Sequence, residues 1–549
     1  MRKSVFFLLS LYFLGLLCLA GKVNAQTPTW LWAKAAGNNG YDYAMSVTAD
    51  SAGNSYVTGY YNTSISFDPT HTLTSTGSTD LYIVKYDPSG NVLWASTAVG
   101  SDVDISSAVA VDDLGNVYLA GYFKSPTLTF GTTTLVNSGG FIYDLFVAKY
   151  DPDGNALWAK SAGGTGDDRA YGIAVDEAGN SFITGYFLSP TITLGPSILT
   201  NTGFSDIYIA KYAPDGTALW GRSPVGPGWE YSYSVAADHL GHVFLAGRLN
   251  GNTLTFGTIV LTKVANHDVI VAKYTTDGEV VWAKNAGTNG DNVANAVTAD
   301  IYGNCYAAGR FGGNNIIFGL VTLPNAGSGD VFLVKYDLAG NVLWAKSAGG
   351  AADDQAMSVT TDKSGYSYAA GFFKSTSVSF GTYPLTNNGS GTADLFVAEY
   401  NPDGNVEWAV SAGGTGDEVA NSVAVDGSRN FFASGYIGSP TVVFGNDTVY
   451  SNGTTDMFIA KSDNTPVGIN DVNKKGHVAV FPNPVRDYLT ITSQDPGIIE
   501  IIDIQGKICR TIRLDSDETK IDLSNLSHGM YLIKLVTGTG VFTQKFLKE

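Results

Sequence analysis

Cysteine, histidine and positive charge are all scarce in this chain of 549 residues. It contains 3 cysteines and 6 histidines, and its 32 lysines and arginines stand against 50 aspartates and glutamates, for a formal charge of −18. Only Cys305 and Cys509 lie beyond the first 25 residues, so disulfides are not expected to hold the fold together. The negative charge argues against a nucleic acid as partner.

The sequence also lacks the motifs of common enzymes and metal sites. His239 and His242 flank a tight turn, but neither a glutamate nor a third histidine accompanies them. There is no nucleophile elbow, phosphate-cradling loop or paired CxxC motif. No cofactor is therefore predicted, with calcium left open, and the one catalytic alternative is a pair of carboxylates brought together from different parts of the chain.

Long hydrophobic runs are confined to the first residues. Arg2 and Lys3 precede an apolar run over 5–20, and VNA precedes Gln26. This pattern predicts a secretory signal peptide over residues 1–25, because small residues occupy the last and third-last positions. Leu17 is too large for a lipoprotein cleavage site before Cys18. No transmembrane segment is expected in the mature chain.

The chain is rich in glycine, tyrosine and phenylalanine, with 65, 30 and 27 residues, and a long internal repeat organises them. Seven of the 9 tryptophans recur every 62 or 64 residues, and their large rings are expected to fill the core between repeats. These tryptophans are Trp32, Trp94, Trp158, Trp220, Trp282, Trp344 and Trp408.

Each repeat predicts four short strands, which we name a to d in chain order. Examples are AVAVD (108–112), NVYLAGY (116–122), DLFVAKY (144–150) and NVLWAKS (341–347), all rich in β-branched and aromatic residues. Turns such as DSAGN (50–54) join a to b, and turns such as DPDGN (151–155) join c to d. The last could suggest calcium ligands, but later ligands are missing and plain turns are the preferred interpretation. Each repeat is thus expected to form a four-stranded antiparallel sheet.

The order of strands predicts how the sheets close. The chain begins with a d-type strand at 30–37 and its last repeat ends with a c-type strand at 456–462. The first strand can complete the last sheet only if the two ends of residues 26–463 meet. Because strand c is apolar on both faces, every sheet must also be covered on both sides. A seven-bladed β-propeller satisfies both conditions, whereas an open solenoid explains neither.

The repeat units resemble the seven-bladed β-propeller repeat family known as SBBP, over about residues 30–463. The signatures that carry the resemblance are AVD, GNVYVAG-like and FVAKYD-like phrases. They imply a fold and leave the function open, because propellers host many activities. The fourth repeat departs from the others, since WGRSPVGPGWEYSYSV (220–235) replaces WAKSAGG and adds Trp229.

A second domain is predicted at the C terminus. A polar linker over 464–477 precedes a small β domain over 478–549, expected to be an immunoglobulin-like sandwich. FPNP (481–484), DIQGK (503–507) and the run from Leu526 to Leu535 resemble the type A sorting domain of the type IX secretion system of Bacteroidota. The resemblance implies Sec export to the periplasm, passage across the outer membrane by the type IX machinery, and a secreted or cell-surface location.

Antiparallel order gives the repeat region two unlike faces. The a–b and c–d turns share one face, here called the turn face. The d–a and b–c connections share the other, here called the loop-rich face. The b–c connections run to about twenty residues, too long to lack structure, so each predicts an extra hairpin. They also differ most between repeats, which makes the loop-rich face the place for specificity.

One acidic position recurs just before strand a and is the candidate site. Six of the seven repeats carry a carboxylate there, and the fifth carries Asn292. A ring of carboxylates around a channel could bind a cation or a polyhydroxylated ligand. Alternatively, each carboxylate accepts hydrogen bonds from nearby backbone amides. The six residues are Asp42, Asp104, Asp168, Glu230, Asp354 and Glu418.

Three functions remain compatible with the sequence. The first is a secreted or cell-surface binding scaffold that engages a glycan or an extracellular protein through the loop-rich face. The second is a structural adhesin or surface-layer component. The third is a polysaccharide hydrolase or lyase that uses the rim carboxylates.

Overall fold

The computed structural model describes residues 28–463 and, in the C-terminal part, 479–481, 484–492, 497–503, 507–514, 518–537 and 540–548. The predicted signal peptide and the predicted linker lie outside these residues. All regular structure in the described ranges is β-strand, and no helix there could cross a membrane. The chain divides into two compact units, Met1–Thr465 and Pro466–Glu549.

Residues 28–463 of the first unit form seven four-stranded antiparallel sheets, numbered here in chain order. Strands a are Asp42–Ala49, Asp104–Val111, Asp168–Val175, Glu230–Ala237, Asn292–Ala299, Asp354–Thr361 and Glu418–Val425. Strands b are Ser55–Tyr61, Val117–Phe123, Ser181–Phe187, His242–Leu249, Cys305–Gly312, Ser367–Phe373 and Phe431–Ile437. Strands c are Asp80–Tyr86, Asp144–Tyr150, Asp206–Tyr212, His267–Thr275, Gly329–Tyr336, Asp394–Tyr400 and Asp456–Asp463. Strands d are Val92–Thr97, Ala156–Ala162, Ala218–Arg222, Val280–Thr288, Val342–Ala348, Val406–Ala412 and, for sheet 7, Thr29–Ala36.

The extra hairpin predicted in each b–c connection is confirmed in all seven repeats. In each hairpin two short strands pair antiparallel outside the four-stranded sheet. Their bounds are Ser64–Asp68 with His71–Thr74, Thr127–Phe130 with Thr133–Val136, Thr191–Leu194 with Ser197–Thr200, Thr253–Phe256 with Ile259–Thr262, Ile316–Phe318 with Val321–Leu323, Ser377–Phe380 with Tyr383–Thr386, and Thr441–Phe444 with Asp447–Tyr450.

The sheets pack in cyclic order. Each strand a lies against strand a of the next sheet, and strand a of sheet 7 lies against strand a of sheet 1. Across that last junction the Ser422 hydroxyl accepts a bond of 3.1 Å from the Val47 amide. As the repeat offset predicts, Thr29–Ala36 pairs antiparallel with Asp456–Asp463 and completes sheet 7. Four-stranded antiparallel sheets packed in this way are consistent with a β-propeller.

A separate apolar cluster fills each junction between neighbouring sheets. The junction of sheets 7 and 1 is as apolar as the others, with Val57, Phe432 and Met457 fully buried. Burial on both faces explains why strands b and c have no alternating pattern. The hydrophobic effect therefore acts at every junction, including the one that joins the chain ends.

The described residues of the second unit form two sheets. Ala479–Phe481, Tyr488–Thr492 and Glu518–Asp522 form one, and Gly497–Asp503, Ile508–Leu514, Gly529–Thr537 and Gly540–Lys548 form the other. Side chains from both sheets, such as Leu489, Ile501 and Ile533, are fully buried in one shared core.

Candidate ligand-binding site

The six predicted acidic residues all begin a strand a, and all have no exposed surface. Their carboxylates accept hydrogen bonds from the chain itself. Asp104 accepts from the Ser125 hydroxyl at 2.7 Å and from the Lys124 and Ser125 amides at 3.2 Å. Asp168 and Asp354 accept equivalent bonds from the serine and amides of their own b–c connections. These carboxylates tie the b–c and d–a connections to strand a.

Burial raises the pKa of several of these acids. It raises the pKa of Asp168 to about 7 and that of Asp104 to about 6, because the charged form loses its hydration. A carboxyl without exposed surface cannot contact a polysaccharide at the rim. The geometry therefore supports the structural interpretation of the ring over cation binding or catalysis by these residues.

The seven recurrent tryptophans lie between sheets. Six indole N–H groups donate at 2.9–3.2 Å to a carbonyl in the c–d turn of the following sheet. Trp94, for example, donates to the Pro152 carbonyl, and a Cβ on Gly154 would come within 2.7 Å of its ring. The turn glycine is required here by its positive φ of 86° and by this close approach. Trp408 stacks on Phe431 with 5.2 Å between ring centroids.

The DPDGN-type turns are closed by their own first residue. The Asp151 carboxylate accepts from the amides of Asp153 and Asn155 and from the Asn155 side chain, at 2.8–3.0 Å. The same pattern recurs at Asp87 and Asp337. These bonds are those of a plain turn. No cluster of three or more His, Cys, Asp or Glu placed to hold a metal exists among the residues that the structure describes.

A β-bulge in every strand a marks positions that the sequence analysis missed. The register shifts at the fourth residue of each strand a, and bulges commonly re-aim side chains near functional sites. Pairing geometry is needed to see a bulge, but the variability of this position within a constant strand is a signal in the sequence. The bulge residues are Met45, Ser107, Tyr171, Tyr233, Asn295, Met357 and Asn421.

Four aromatic side chains of sheets 3 and 4 form a stack at the loop-rich face, here called the ring stack: Phe204, Trp229, Tyr231 and Tyr233. Successive ring centroids lie 5.3, 6.5 and 6.2 Å apart, with interplanar angles of 1°, 14° and 13°. Trp229 directly precedes strand a of sheet 4, and Tyr231 and Tyr233 are the second and fourth residues of that strand. Phe204 is 64% exposed and Trp229 is 41% exposed, whereas the two tyrosines are half-buried. The stack thus runs from solvent into the wall of strands a.

Further rings extend the stack across neighbouring sheets. The Tyr171 ring of sheet 3 lies 5.8 Å from that of Tyr233 and 6.0 Å from that of Tyr122 in sheet 2. The Tyr186 ring meets that of Tyr231 edge to face at 4.8 Å. Burial raises the pKa of Tyr233 to about 12, so this hydroxyl stays neutral and able to donate.

A charged network lies beside the ring stack on sheets 4 to 6. The Asp291 carboxylate accepts from Arg248 at 3.3 Å and from Arg310 at 3.4 Å, and lies 2.6 Å from Nδ1 of His267. The Arg310 Nε donates to Asp353. The Arg248 guanidinium lies 5.6 Å from the Tyr231 ring. The aromatic rings of the ring stack and the ion pairs of the charged network therefore lie next to each other on one side of the loop-rich face.

The opposite end of the same unit differs in chemistry. A cavity of about 410 Å³ lies among the a–b turns at the turn face. Its lining includes Asp113, His239, Ile301 and Lys363 and contains no Phe, Tyr or Trp. Charges of both signs on turn residues favour no particular class of ligand.

Two family matches fall on this chain. Residues 157–186 match the β-propeller repeat family. Residues 479–549 match the secretion system C-terminal sorting domain.

Two curated proteins are similar in sequence. The uncharacterized WD repeat-containing protein L264 of Acanthamoeba polyphaga mimivirus is 24% identical over 533 residues, which covers 78% of this chain and 38% of that protein. The regulatory protein FlaEY of Caulobacter vibrioides is 29% identical over 142 residues, which covers 26% of this chain and 15% of that protein. The chain thus spans well under half the length of either relative.

Solved structures resemble the chain only loosely. PorZ, a surface component of the type IX secretion system of Porphyromonas gingivalis, is 11% identical with a TM-score of 0.17, covering 96% of this chain and 100% of that one. The extracellular domain of the putative one-component system BT4673 of B. thetaiotaomicron is 9% identical with a TM-score of 0.23, covering 92% and 73%. Scores this low carry no argument about function.

Proposed function

We propose that this chain, which carries a β-propeller repeat and a type IX sorting domain and is exported to the cell surface or beyond it, is a glycan-binding scaffold. Its binding surface is the ring stack with the charged network beside it. The proposal includes the finer architecture: a seven-bladed propeller followed by an immunoglobulin-like sorting domain. It also includes a signal peptide over residues 1–25 and an origin in Bacteroidota.

The ring stack is the observation that carries the proposal. Large exposed apolar side chains are normal when scattered singly, but Phe204 and Trp229 are both exposed and lie in contact, so they form one continuous apolar patch, here called the platform. The C–H faces of a pyranose ring pack well on such a platform. Only the fourth repeat carries this tryptophan, so the platform breaks the symmetry of the scaffold at one place.

The charged network supplies hydrogen-bond donors and acceptors for the hydroxyl groups of a sugar. Sugar hydroxyls are both donors and acceptors, and Arg248 with Asp291 offers both at one place. The partners fix each other's rotamers before a ligand arrives, which reduces the entropy lost on binding. The arginines of this network are matched by Asp291 and Asp353, which favours a neutral glycan over an acidic one.

Binding of the full mature chain to a panel of soluble neutral polysaccharides, including β-glucans, xylan and mannan, tests the proposal by isothermal titration calorimetry. We expect Trp229→Ala to weaken binding at least about tenfold, because truncation of a central aromatic anchor commonly costs more than 1–2 kcal/mol. Phe204→Ala should weaken binding to the same ligand.

Tyr302→Ala is the matched control, because this ring is 62% exposed but lies in an a–b turn at the turn face. It should leave the affinity unchanged. Equal losses in Trp229→Ala and Tyr302→Ala, or binding that persists without Trp229, would place the ligand elsewhere.

A further inference from the structure

A second acidic position, at or next to the start of strand c, is present in every repeat. All seven of these aspartates are at most 2% exposed. They are Asp80, Asp144, Asp206, Asp268, Asp330, Asp394 and Asp456. Together with the acids of strand a, they place two buried acidic positions at each junction between sheets, except where Asn292 replaces the acid.

Backbone pairing brings the two positions together. At the junction of sheets 7 and 1, the Asp42 amide donates at 3.0 Å to the carbonyl of Thr455, the residue before Asp456. A Cβ on Gly37 would come within 2.5 Å of Oδ1 of Asp456 and 2.8 Å of Oδ2 of Asp42. Both carboxyls therefore lie against the same glycine. Equivalent amide bonds link Asp104 to Thr79 and Glu230 to Ser205, each one residue before the strand c aspartate.

One oxygen of each strand c aspartate at these double-acid junctions is buried without a partner. At Asp456 the other oxygen accepts from the Asn452 amide at 2.8 Å, whereas Oδ1 has no donor, and neither has Oδ1 of Asp42. A buried acceptor without a donor costs free energy, and two facing carboxylates cost more. The six unpartnered oxygens are Oδ1 of Asp80, Asp144, Asp206, Asp330, Asp394 and Asp456.

The junction of sheets 4 and 5 is a natural control. There Asn292 stands where the other repeats have an acid. Asp268 accepts from the Asn285 side chain at 2.6 Å and from the Val264 and Ala265 amides at 2.7 and 3.4 Å, so both of its oxygens have donors. Unpartnered oxygens on strand c thus occur only where two acids meet, within the described part of the chain.

We propose that at each of the six double-acid junctions the two carboxyl groups share one proton, so that one donates to the other. A proton supplies the missing donor and removes the repulsion between two buried carboxylates at once. Folding then takes up protons from water at a pH where free aspartate is ionised. The closed set of sheets is therefore held together more firmly in mildly acidic than in alkaline solution.

The groups that face the pair of Asp42 and Asp456 do not replace the proton. Tyr61 and Tyr82 face Asp42, and burial keeps both hydroxyls neutral by raising their pKa values. Neither donates to Asp42, because the Tyr82 hydroxyl bonds to the Tyr43 carbonyl at 3.2 Å and the Tyr61 hydroxyl makes no hydrogen bond. The Asn452 amide donates to Oδ2 of Asp456. The Ser451 hydroxyl and the Gly453 amide lie close to this carboxyl and favour its ionised form, but neither makes a hydrogen bond to Oδ1. At the junction of sheets 3 and 4, Lys263 faces Glu230 and favours its ionised form in part.

The direction of the pH dependence follows from the raised pKa values. Burial raises the pKa of Asp42 to about 7, and that of Asp394 to about 6. The folded state therefore binds more protons than the unfolded state between about pH 4 and pH 7. Stability from these groups is fully present below pH 4 and is lost as the pH rises through 6 to 7.

Thermal unfolding of the full mature chain between pH 5 and pH 8.5 tests the proposal. Asp42→Asn replaces one carboxyl of the pair by a neutral amide that needs no proton, as Asn292 replaces the acid in sheet 5. We expect Asp42→Asn to raise the Tm at pH 8 and to leave it nearly unchanged at pH 5. The pH dependence of the Tm should shrink by about one sixth, because one of six pairs is removed. The converse variant, Asn292→Asp, adds a pair and should lower the Tm at pH 8 more than at pH 5.

Infrared spectroscopy of the folded protein gives a second readout that does not depend on unfolding. The C=O stretch of protonated carboxyl groups should be present at pH 6.5 and weaker in Asp42→Asn. Absence of that band, or a shift of Tm by Asp42→Asn that is equal at both pH values, would overturn the proposal. So would a rise in Tm with calcium at pH 8 that Asp42→Asn abolishes, since a cation would then occupy the place of the proton.

Discussion

Glu399 occupies a strand c position where the six other repeats carry lysine. Each of those lysines places Nζ 3.2–3.4 Å from a carbonyl in the c–d turn of the next sheet. The sheet after Glu399 is sheet 7, whose strands c and d come from the two ends of the first unit and are joined by no turn. Glu399 instead accepts from Arg429 at 2.7 Å, and Arg429 also lies 2.7 Å from Asp362. The lysine of the other repeats is therefore replaced by Glu399 at the one position where the next sheet has no c–d turn to accept its hydrogen bond.

Glu399→Lys should destabilise the protein by about 3 kcal/mol, because it breaks a buried ion pair and places two cations together. Arg429 has a φ of 68° where the six equivalent residues are glycine, so the double variant Glu399→Lys with Arg429→Gly restores the pattern of the other repeats. It should recover part of the loss in urea unfolding. A double variant less stable than Glu399→Lys would contradict this account.

The acidic ring shows which properties of single residues could be predicted from the sequence and which could not. Its recurrence was visible, but its burial was not, because carboxylates are normally solvated. The donors that make burial possible come from the b–c connection, such as Ser125 for Asp104, 21 residues further along. The aspartates at or next to the start of strand c were not predicted as a site, because an aspartate is common at the end of a strand. Their role depends on a neighbour in another repeat.

At the scale of strands and hairpins, local sequence was a good guide. Runs of β-branched and aromatic residues between glycine turns predict the four strands, and the seven b–c hairpins are confirmed. The bulges were missed because they depend on pairing with strand b. The platform of Phe204 and Trp229 joins two sheets, so no single repeat reveals it.

Deletion of residues 26–38 should destabilise the first unit by several kcal/mol. It removes the strand Thr29–Ala36 and the buried Trp32 ring, and it leaves Asp456–Asp463 as an open edge. Differential scanning calorimetry of the mature chain measures the effect. Deletion of residues 26–28 alone, before the strand, should change the Tm little. A similar Tm for both deletions would argue against closure by this strand.

At the scale of the whole molecule, the two ends of the first unit and its proposed binding surface lie at opposite faces. Thr29 pairs with Asp463, so the described chain both enters and leaves this unit at the turn face. The ring stack lies at the opposite, loop-rich face. The described part of the first unit therefore begins and ends at the face opposite the proposed binding surface.

Removal of residues 478–549 should leave the protein in the periplasm, because the matched sorting domain covers 479–549. Fractionation of cells with antibodies against the first unit measures the location. An internal control is Trp229→Ala in the full chain, which should be exported normally. Surface delivery of the truncated chain would contradict the export route.

Closure by the strand Thr29–Ala36 is also expected to slow folding. The Ser462 hydroxyl donates to the Thr29 carbonyl across 433 residues of chain, so the first described strand pairs with the last strand of this unit. Contacts of such long sequence separation make folding slow. Until Asp456–Asp463 arrives, both edges of the closing sheet are exposed to pairing with other chains. We therefore expect the risk of aggregation to depend more on how long the sheet stays open during folding than on the stability of the folded protein.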